Sequence, residues 1–177
     1  MSRKGKSGMS NGSGGALPPT AAPSGGSVRF SKSEIENATD NYWSTGYNNK
    51  REAARVLSGD ITESEYAKEY AKNGMKSDKT IQKQIDERGR DYTNRNWEPK
   101  SQSQWEAEGR ETYKNQLERA KSYSVQDSAK RLGVNVNYST SVSEARRILG
   151  NATYDAILES SIASARKAVN AHKRRRK

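Results

Sequence analysis

The last 27 residues of the chain, 151–177, hold its best-defined helical pattern and, from residue 166 onward, the larger of its two blocks of unbalanced charge. Apolar side chains recur there at steps of three and four residues, which places them on one face of a helix. They are Tyr154, Ile157, Leu158, Ile162, Ala165 and Val169. From Arg166 onward the sequence has no acidic residue, and it ends in five consecutive cations. We therefore expect a helix that is anchored by its apolar face and that carries a cationic tail into solvent.

Large aliphatic and phenyl side chains are scarce in the sequence as a whole. Leu, Ile, Val and Phe together make up 21 of the 177 residues. A share below roughly 20%, combined with a high net charge, favours disorder. Twelve of these residues fall within 117–169, which favours a compact part near the C-terminus. The sequence thus predicts a mainly α-helical, loosely packed protein with a disordered N-terminal arm and a small C-terminal helical unit.

The predicted organisation has four parts. Residues 1–29 are rich in Gly, Ser and Pro and form a disordered basic arm. Residues 30–123 form a helical region, and the sequence leaves open whether it folds alone or on a partner. Residues 124–171 form the compact C-terminal helical unit, and residues 172–177 form a basic tail.

Capping patterns locate several helix starts. In a capping box, the side chains of a Ser or Thr and of a Glu three residues later each accept a hydrogen bond from the other residue's backbone N–H. Three pairs fit this pattern: Ser31 with Glu34, Thr62 with Glu65, and Ser141 with Glu144. Ser103 with Glu106 predicts a further start, and Gly74 predicts the end of the helix that begins after Thr62. The alternation of apolar and polar residues from Val134 to Tyr138 predicts a strand or an extended connection.

The net charge of +11 is confined to the two ends of the chain. Residues 1–33 carry five cations and residues 166–177 carry seven, without any acid, whereas residues 34–165 have a net charge of −1. A nearly neutral body with two cationic ends favours binding to polyanions, of which nucleic acid is the first candidate. The predicted contacts in the main, C-terminal group are Arg166, Lys167, Lys173, Arg174, Arg175, Arg176 and Lys177. The predicted contacts in the second, N-terminal group are Arg3, Lys4 and Lys6.

Residues 128–134 resemble the first helix and turn of a helix-turn-helix. In that motif a small residue packs under the second helix and a glycine permits the bend. Ala129 and Gly133 fit this spacing, but Ser139 stands where the second helix should have an apolar residue. The resemblance implies that Arg146 and Arg147 are the side chains that would reach DNA. The alternative is a corner of two helices that does not read DNA.

The sequence does not favour catalysis. It has no cysteine, and its one histidine, His172, lies in the predicted basic tail. Thiolate metal sites and histidine-based triads therefore have no candidate residues. We expect no enzymatic activity, no cofactor and no metal.

The expected partner is nucleic acid, bound largely without sequence preference by a non-enzymatic accessory or structural protein. The alternative is an assembly or interaction protein that docks its helices on a protein partner or on a second copy: a scaffold, a virion or particle component, or an inhibitor. No apolar run approaches the ~20 residues of a membrane span, and the N-terminus lacks the apolar core of a secretory signal. We therefore expect no membrane partner, and a soluble location inside a cell or a particle.

Overall fold

The computed structural model describes residues 27–176, and within this range the protein has six α-helices and no β-strand. The helices are α1 (Lys32–Ser44), α2 (Tyr47–Ser58), α3 (Glu63–Arg88), α4 (Gln102–Arg131), α5 (Val142–Leu149) and α6 (Asn151–Arg175). The predicted mainly α-helical fold is therefore confirmed. The point between residues 123 and 124, at which we divided the chain, falls inside α4. None of the helices in this range is long and apolar enough to cross a membrane.

Helix α6 is the element on which the body is assembled, because it packs against α1, α2, α4 and α5. Four residues of its predicted apolar face, Tyr154, Ile157, Ala165 and Val169, are buried, and the other two, Leu158 and Ile162, are partly buried against the same clusters. The first half of α6 joins a core cluster with residues of α4 and α5, and the second half joins another with residues of α1, α2 and α4. One amphipathic helix thus holds together two small cores that contain few large aliphatic side chains.

Hydroxyl groups connect α1 to α6 where large apolar side chains are missing. The buried indole of Trp43 donates a hydrogen bond from Nε1 to Ser161 Oγ at 3.0 Å. The buried hydroxyl of Thr39 lies 3.0 Å from that of Ser164, and Ser164 donates to the carboxylate of Asp40 at 2.5 Å. These small polar side chains satisfy one another, which lets the two helices pack closely without burying unpaired polar groups.

Helices α3 and α4 form an antiparallel pair that Gly74 makes possible. We expected Gly74 to end the third helix, but α3 continues to Arg88 and Gly74 is buried in its middle. A Cβ atom on Gly74 would lie 2.4 Å from an atom of the Trp105 indole on α4. The glycine therefore serves close helix packing, and the helix ends at Gly89, whose φ of 80° favours glycine.

The capping predictions hold for the first and third helices. Ser31 with Glu34 and Thr62 with Glu65 form complete capping boxes. Ser141 accepts a hydrogen bond from the backbone of Glu144 and so caps α5, but the predicted box is incomplete because the carboxylate of Glu144 binds Arg147 instead. The predicted start at Ser103 is wrong by two residues, since Ser101 is the N-cap of α4.

The connection between α4 and α5 is extended, without strand pairing within residues 27–176, and it buries Val134 and Val136 in the core. The last three residues of the predicted arm, 27–29, are the part of it that the structure describes. Here the backbone N–H of Arg29 donates to Thr153 Oγ1 at 3.0 Å, and its guanidinium donates to the carbonyl oxygen of Ile148 at 3.1 Å. The arm is therefore held against the body from residue 29 onward.

Candidate functional site

The cationic C-terminal segment is helical as far as Arg175, although we expected residues 172–177 to form a mobile tail. The helix continues because Val169 and His172 still pack on the body, the former in the core with Ala54 and Leu57 of α2. Cations in the last turn also interact favourably with the negative end of the helix dipole. The segment thus presents its charges from a fixed helix end.

Three of the predicted cations contact polar groups of the body. Lys167 Nζ lies 2.8 Å from Asp40 Oδ2, Lys173 pairs with Asp60, and Arg166 donates to the carbonyl oxygen of Ser58 at 3.3 Å. Burial raises the pKa of Asp40, but hydrogen bonds from Lys167 and Ser164 outweigh it and hold that pKa below its ordinary value. The side chains of Lys167 and Lys173 remain 67% and 57% exposed. Such exposed pairs are worth about 0–1 kcal/mol, so phosphate can replace the carboxylate at small cost.

Arg174, Arg175 and Arg176 are exposed at the end of α6. No carboxylate of residues 27–176 lies within 4.0 Å of their guanidinium groups, and these groups make no hydrogen bond within that range. Three guanidinium groups that the described part of the chain leaves unpaired form the main candidate binding surface.

Tyr47, Arg51 and His172 extend this surface onto α2. The rings of Tyr47 and His172 are 5.4 Å apart, and the hydroxyl of Tyr47 and Nε2 of His172 are both inaccessible and without a hydrogen-bond partner in the described chain. Burial and the positive charges of Arg51, Arg176 and Arg175 lower the pKa of His172. The protonated form of His172 is therefore disfavoured at the edge of this cationic cluster. We name the group Arg51, His172 and Arg174–Arg176 the C-terminal cationic surface.

The prediction from sequence missed Arg51, and no local signal could have found it. Arg51 lies in a helix with mixed charges, more than 100 residues before His172. The packing of Tyr47 on His172 brings the two together, because Tyr47 precedes Arg51 by one helical turn on the same side of α2.

Arg146 and Arg147 do not lie on a helix-turn-helix. The connection 132–141 between α4 and α5 is longer than the turn of three to four residues that this motif requires. Arg146 is 2.9 Å from Asp155 and stacks on the ring of Tyr154, with its guanidinium carbon 4.2 Å from the ring centre. Arg147 pairs with Glu144 one turn before it in α5. Both arginines are thus engaged by residues of their own chain.

The remaining predicted contacts, Arg3, Lys4, Lys6 and Lys177, lie outside the described residues. Within 27–176, no three His, Asp or Glu side chains come together closely enough to hold a metal ion. Comparisons with protein-family models, with curated proteins and with solved structures found no match to this chain.

Proposed function

We propose that this protein is a non-enzymatic accessory protein that binds the phosphate backbone of nucleic acid with little sequence preference. The observation that supports this proposal is the set of three exposed arginines, Arg174 to Arg176, which no carboxylate of residues 27–176 neutralises. Arginine presents a planar set of donors that binds phosphate oxygens in pairs, and each contact releases condensed counter-ions.

Contacts from these arginines favour backbone binding over base reading. Successive residues of an α-helix point about 100° apart, so three consecutive side chains spread around the helix end. A helix that reads bases places several side chains of one face in the same groove. Because the three arginines point in different directions, they can contact phosphates of a nucleic-acid backbone that lies across the end of the helix.

The other predicted cations complete the proposed interface. Arg166, Lys167 and Lys173 would exchange their present partners for phosphate, and Lys177 would extend the row. Arg3, Lys4 and Lys6 would form a second contact on the N-terminal arm. Arg146 and Arg147 remain predicted contacts that would have to give up Asp155 and Glu144. We place this function inside a cell or a particle, where nucleic acid is the abundant polyanion.

The test replaces Arg174, Arg175 and Arg176 by glutamine and compares the variant with one that loses three charges elsewhere. Lys32, Lys114 and Lys130 are suitable control positions, because they are exposed and pair with no carboxylate of residues 27–176. Affinity for a fluorescent DNA duplex of mixed sequence is measured between about 50 and 200 mM salt. We expect the slope of log affinity against log salt to flatten by about 3 in the arginine variant, at about 0.9 per lost phosphate contact. A slope equal to that of the control variant would contradict the proposed role of the helix end.

An assembly or interaction protein is the second candidate, and the tip of the α3–α4 pair supports it. Tyr92 in the connection between these helices is 80% exposed, and three apolar side chains in the last turns of α3 and in the connection are only half-buried: Ile81, Ile85 and Trp97. A cluster of partly exposed apolar side chains is typical of a protein-binding surface. Size-exclusion chromatography with light scattering separates the two candidates. A defined oligomer that does not shift nucleic acid at physiological salt would favour assembly.

A further inference from the structure

Helix α3 carries a straight row of lysines along one face. Their spacing of four, four, three and four residues keeps them within an arc of about 80° and spreads them over about 22 Å of the helix axis. All five are exposed, and we call them the lysine row: Lys68, Lys72, Lys76, Lys79 and Lys83.

The charges of the lysine row are not neutralised within the described chain. None of the five ammonium groups lies within 4.0 Å of a carboxylate of residues 27–176. The only acid between residues 70 and 85 is Asp78, which is 7% exposed. Its carboxylate accepts hydrogen bonds from the backbone of Lys100 at 3.0 Å and from the indole of Trp105 at 2.8 Å, on the side of α3 that faces α4.

A second row of exposed side chains follows the lysines on the adjacent strip of the helix surface. It has the same four, three, four spacing and consists of neutral groups that donate and accept hydrogen bonds: Asn73, Ser77, Thr80 and Gln84. Hydroxyl and amide side chains of these types are, with lysine and arginine, among the groups that contact phosphate and sugar in protein–DNA complexes. The two rows thus combine charge and hydrogen bonding in the pattern that a sugar–phosphate backbone requires.

The opposite side of α3 is fixed on α4, which keeps the lysine row facing solvent. Tyr70 donates to Glu108 at 2.6 Å, and Gly74 lies against the ring of Trp105.

We propose that the lysine row is a further nucleic-acid-binding surface, which holds the sugar–phosphate backbone along α3. The row spans a length equal to about six phosphates of one strand of B-DNA. Lysine ammonium groups on flexible stems suit such repeated, sequence-independent contacts. An anionic membrane fits the surface less well, because a membrane-binding helix needs several large apolar side chains beside its cations. One flank of the row holds neutral polar groups, and the only apolar side chains on the other are those of Ala71, which is buried, and Met75, which is partly buried.

The test replaces Lys72, Lys76 and Lys79 by glutamine in the full chain. The glutamine variant of Lys32, Lys114 and Lys130 is the matched control, and a variant with arginine at positions 72, 76 and 79 keeps the charge. Affinity for the same fluorescent duplex is measured against salt, and circular dichroism with thermal melting checks the fold. We expect affinity at low salt to fall by about tenfold or more and the salt slope to flatten by about 3. The arginine variant should bind like the wild type.

The outcomes separate this inference from the proposed function. If the row variant behaves like the control while the variant of Arg174 to Arg176 loses binding, the lysine row is not a binding surface and the proposed function stands. Absence of any binding by the wild type at low salt would overturn both. Normal DNA binding by the row variant, with loss of binding to phosphatidylserine vesicles, would identify a membrane surface and overturn this inference.

Discussion

His172 reports the electrostatic state of the C-terminal cationic surface. It is the only histidine of the chain, so its imidazole signals are unambiguous in a proton NMR spectrum. Burial and the charges of Arg51, Arg176 and Arg175 lower its pKa from the ordinary value of 6.5. Any anion that binds these arginines removes part of the repulsion that disfavours the protonated imidazole.

We therefore expect the pKa of His172 to rise when a short DNA duplex is added. In the free protein the NMR titration should give a pKa below 6.5, and in the complex it should give a higher value. The complex then holds the proton on His172 more strongly than the free protein does. The affinity for DNA should therefore increase as the pH falls from the pKa of His172 in the complex to its pKa in the free protein. An identical pKa with and without DNA, at equal ionic strength, would show that phosphate does not approach this surface.

At the scale of elements, the α3–α4 pair depends on the absence of a side chain at Gly74. The alanine variant gains helix propensity worth about 0.5–1 kcal/mol. It also places a methyl group against the Trp105 indole, and such overpacking typically costs about 1–3 kcal/mol. We expect Gly74→Ala to lower the free energy of unfolding in urea titrations by about 1–2 kcal/mol on balance.

The control for this variant is Asn73→Ala, one residue earlier on the exposed side of the same helix. It changes helix propensity without touching α4, and its stability should equal or slightly exceed that of the wild type. Equal stabilities of the Gly74 and Asn73 variants would mean that Trp105 does not pack on α3 as described.

Local patterns predicted the helix starts that local contacts determine. Ser31 and Thr62 cap their helices through residues three positions away, and both capping boxes are visible in the sequence. At the start of α4 two overlapping patterns compete, Ser101 with Gln104 and Ser103 with Glu106. Asp78 of α3 binds the backbone of Lys100 and the indole of Trp105, which fixes this segment so that the helix begins after Ser101. Only the folded structure contains that contact.

At the scale of the whole molecule, positive charge is concentrated on one face of α3 as well as in the two terminal segments. Residues 34–165 have a net charge of −1, which indicated a neutral body. Many of their acids are engaged by the fold: Glu34 and Glu65 complete helix caps, and Asp78 is buried. The lysines of α3 have no such partners within the described chain. A segment with balanced charge can therefore present a strongly cationic face.

The candidate site could be predicted in part. The run of cations at the C-terminus is visible in the sequence, and the structure places three of its arginines at an exposed helix end. Arg51 could not be assigned, because the contact between Tyr47 and His172 joins residues far apart in the chain. The lysines of the row recur at the spacing of a helix, but the sequence alone suggested that this helix ends at Gly74. The packing of Gly74 on Trp105 shows why the helix, and with it the row, continues to Lys83.

The central claim is that unpaired cations of this protein bind phosphates irrespective of base sequence. The most direct measurement is the affinity of the wild-type protein for two unrelated DNA duplexes as a function of salt concentration. We predict equal affinities for the two sequences and a slope of log affinity against log salt of about −5 or steeper. Three contacts by the arginines at the end of α6 and three by the lysine row contribute about 0.9 each. A slope near zero, or a strong preference for one of the two sequences, would contradict the account.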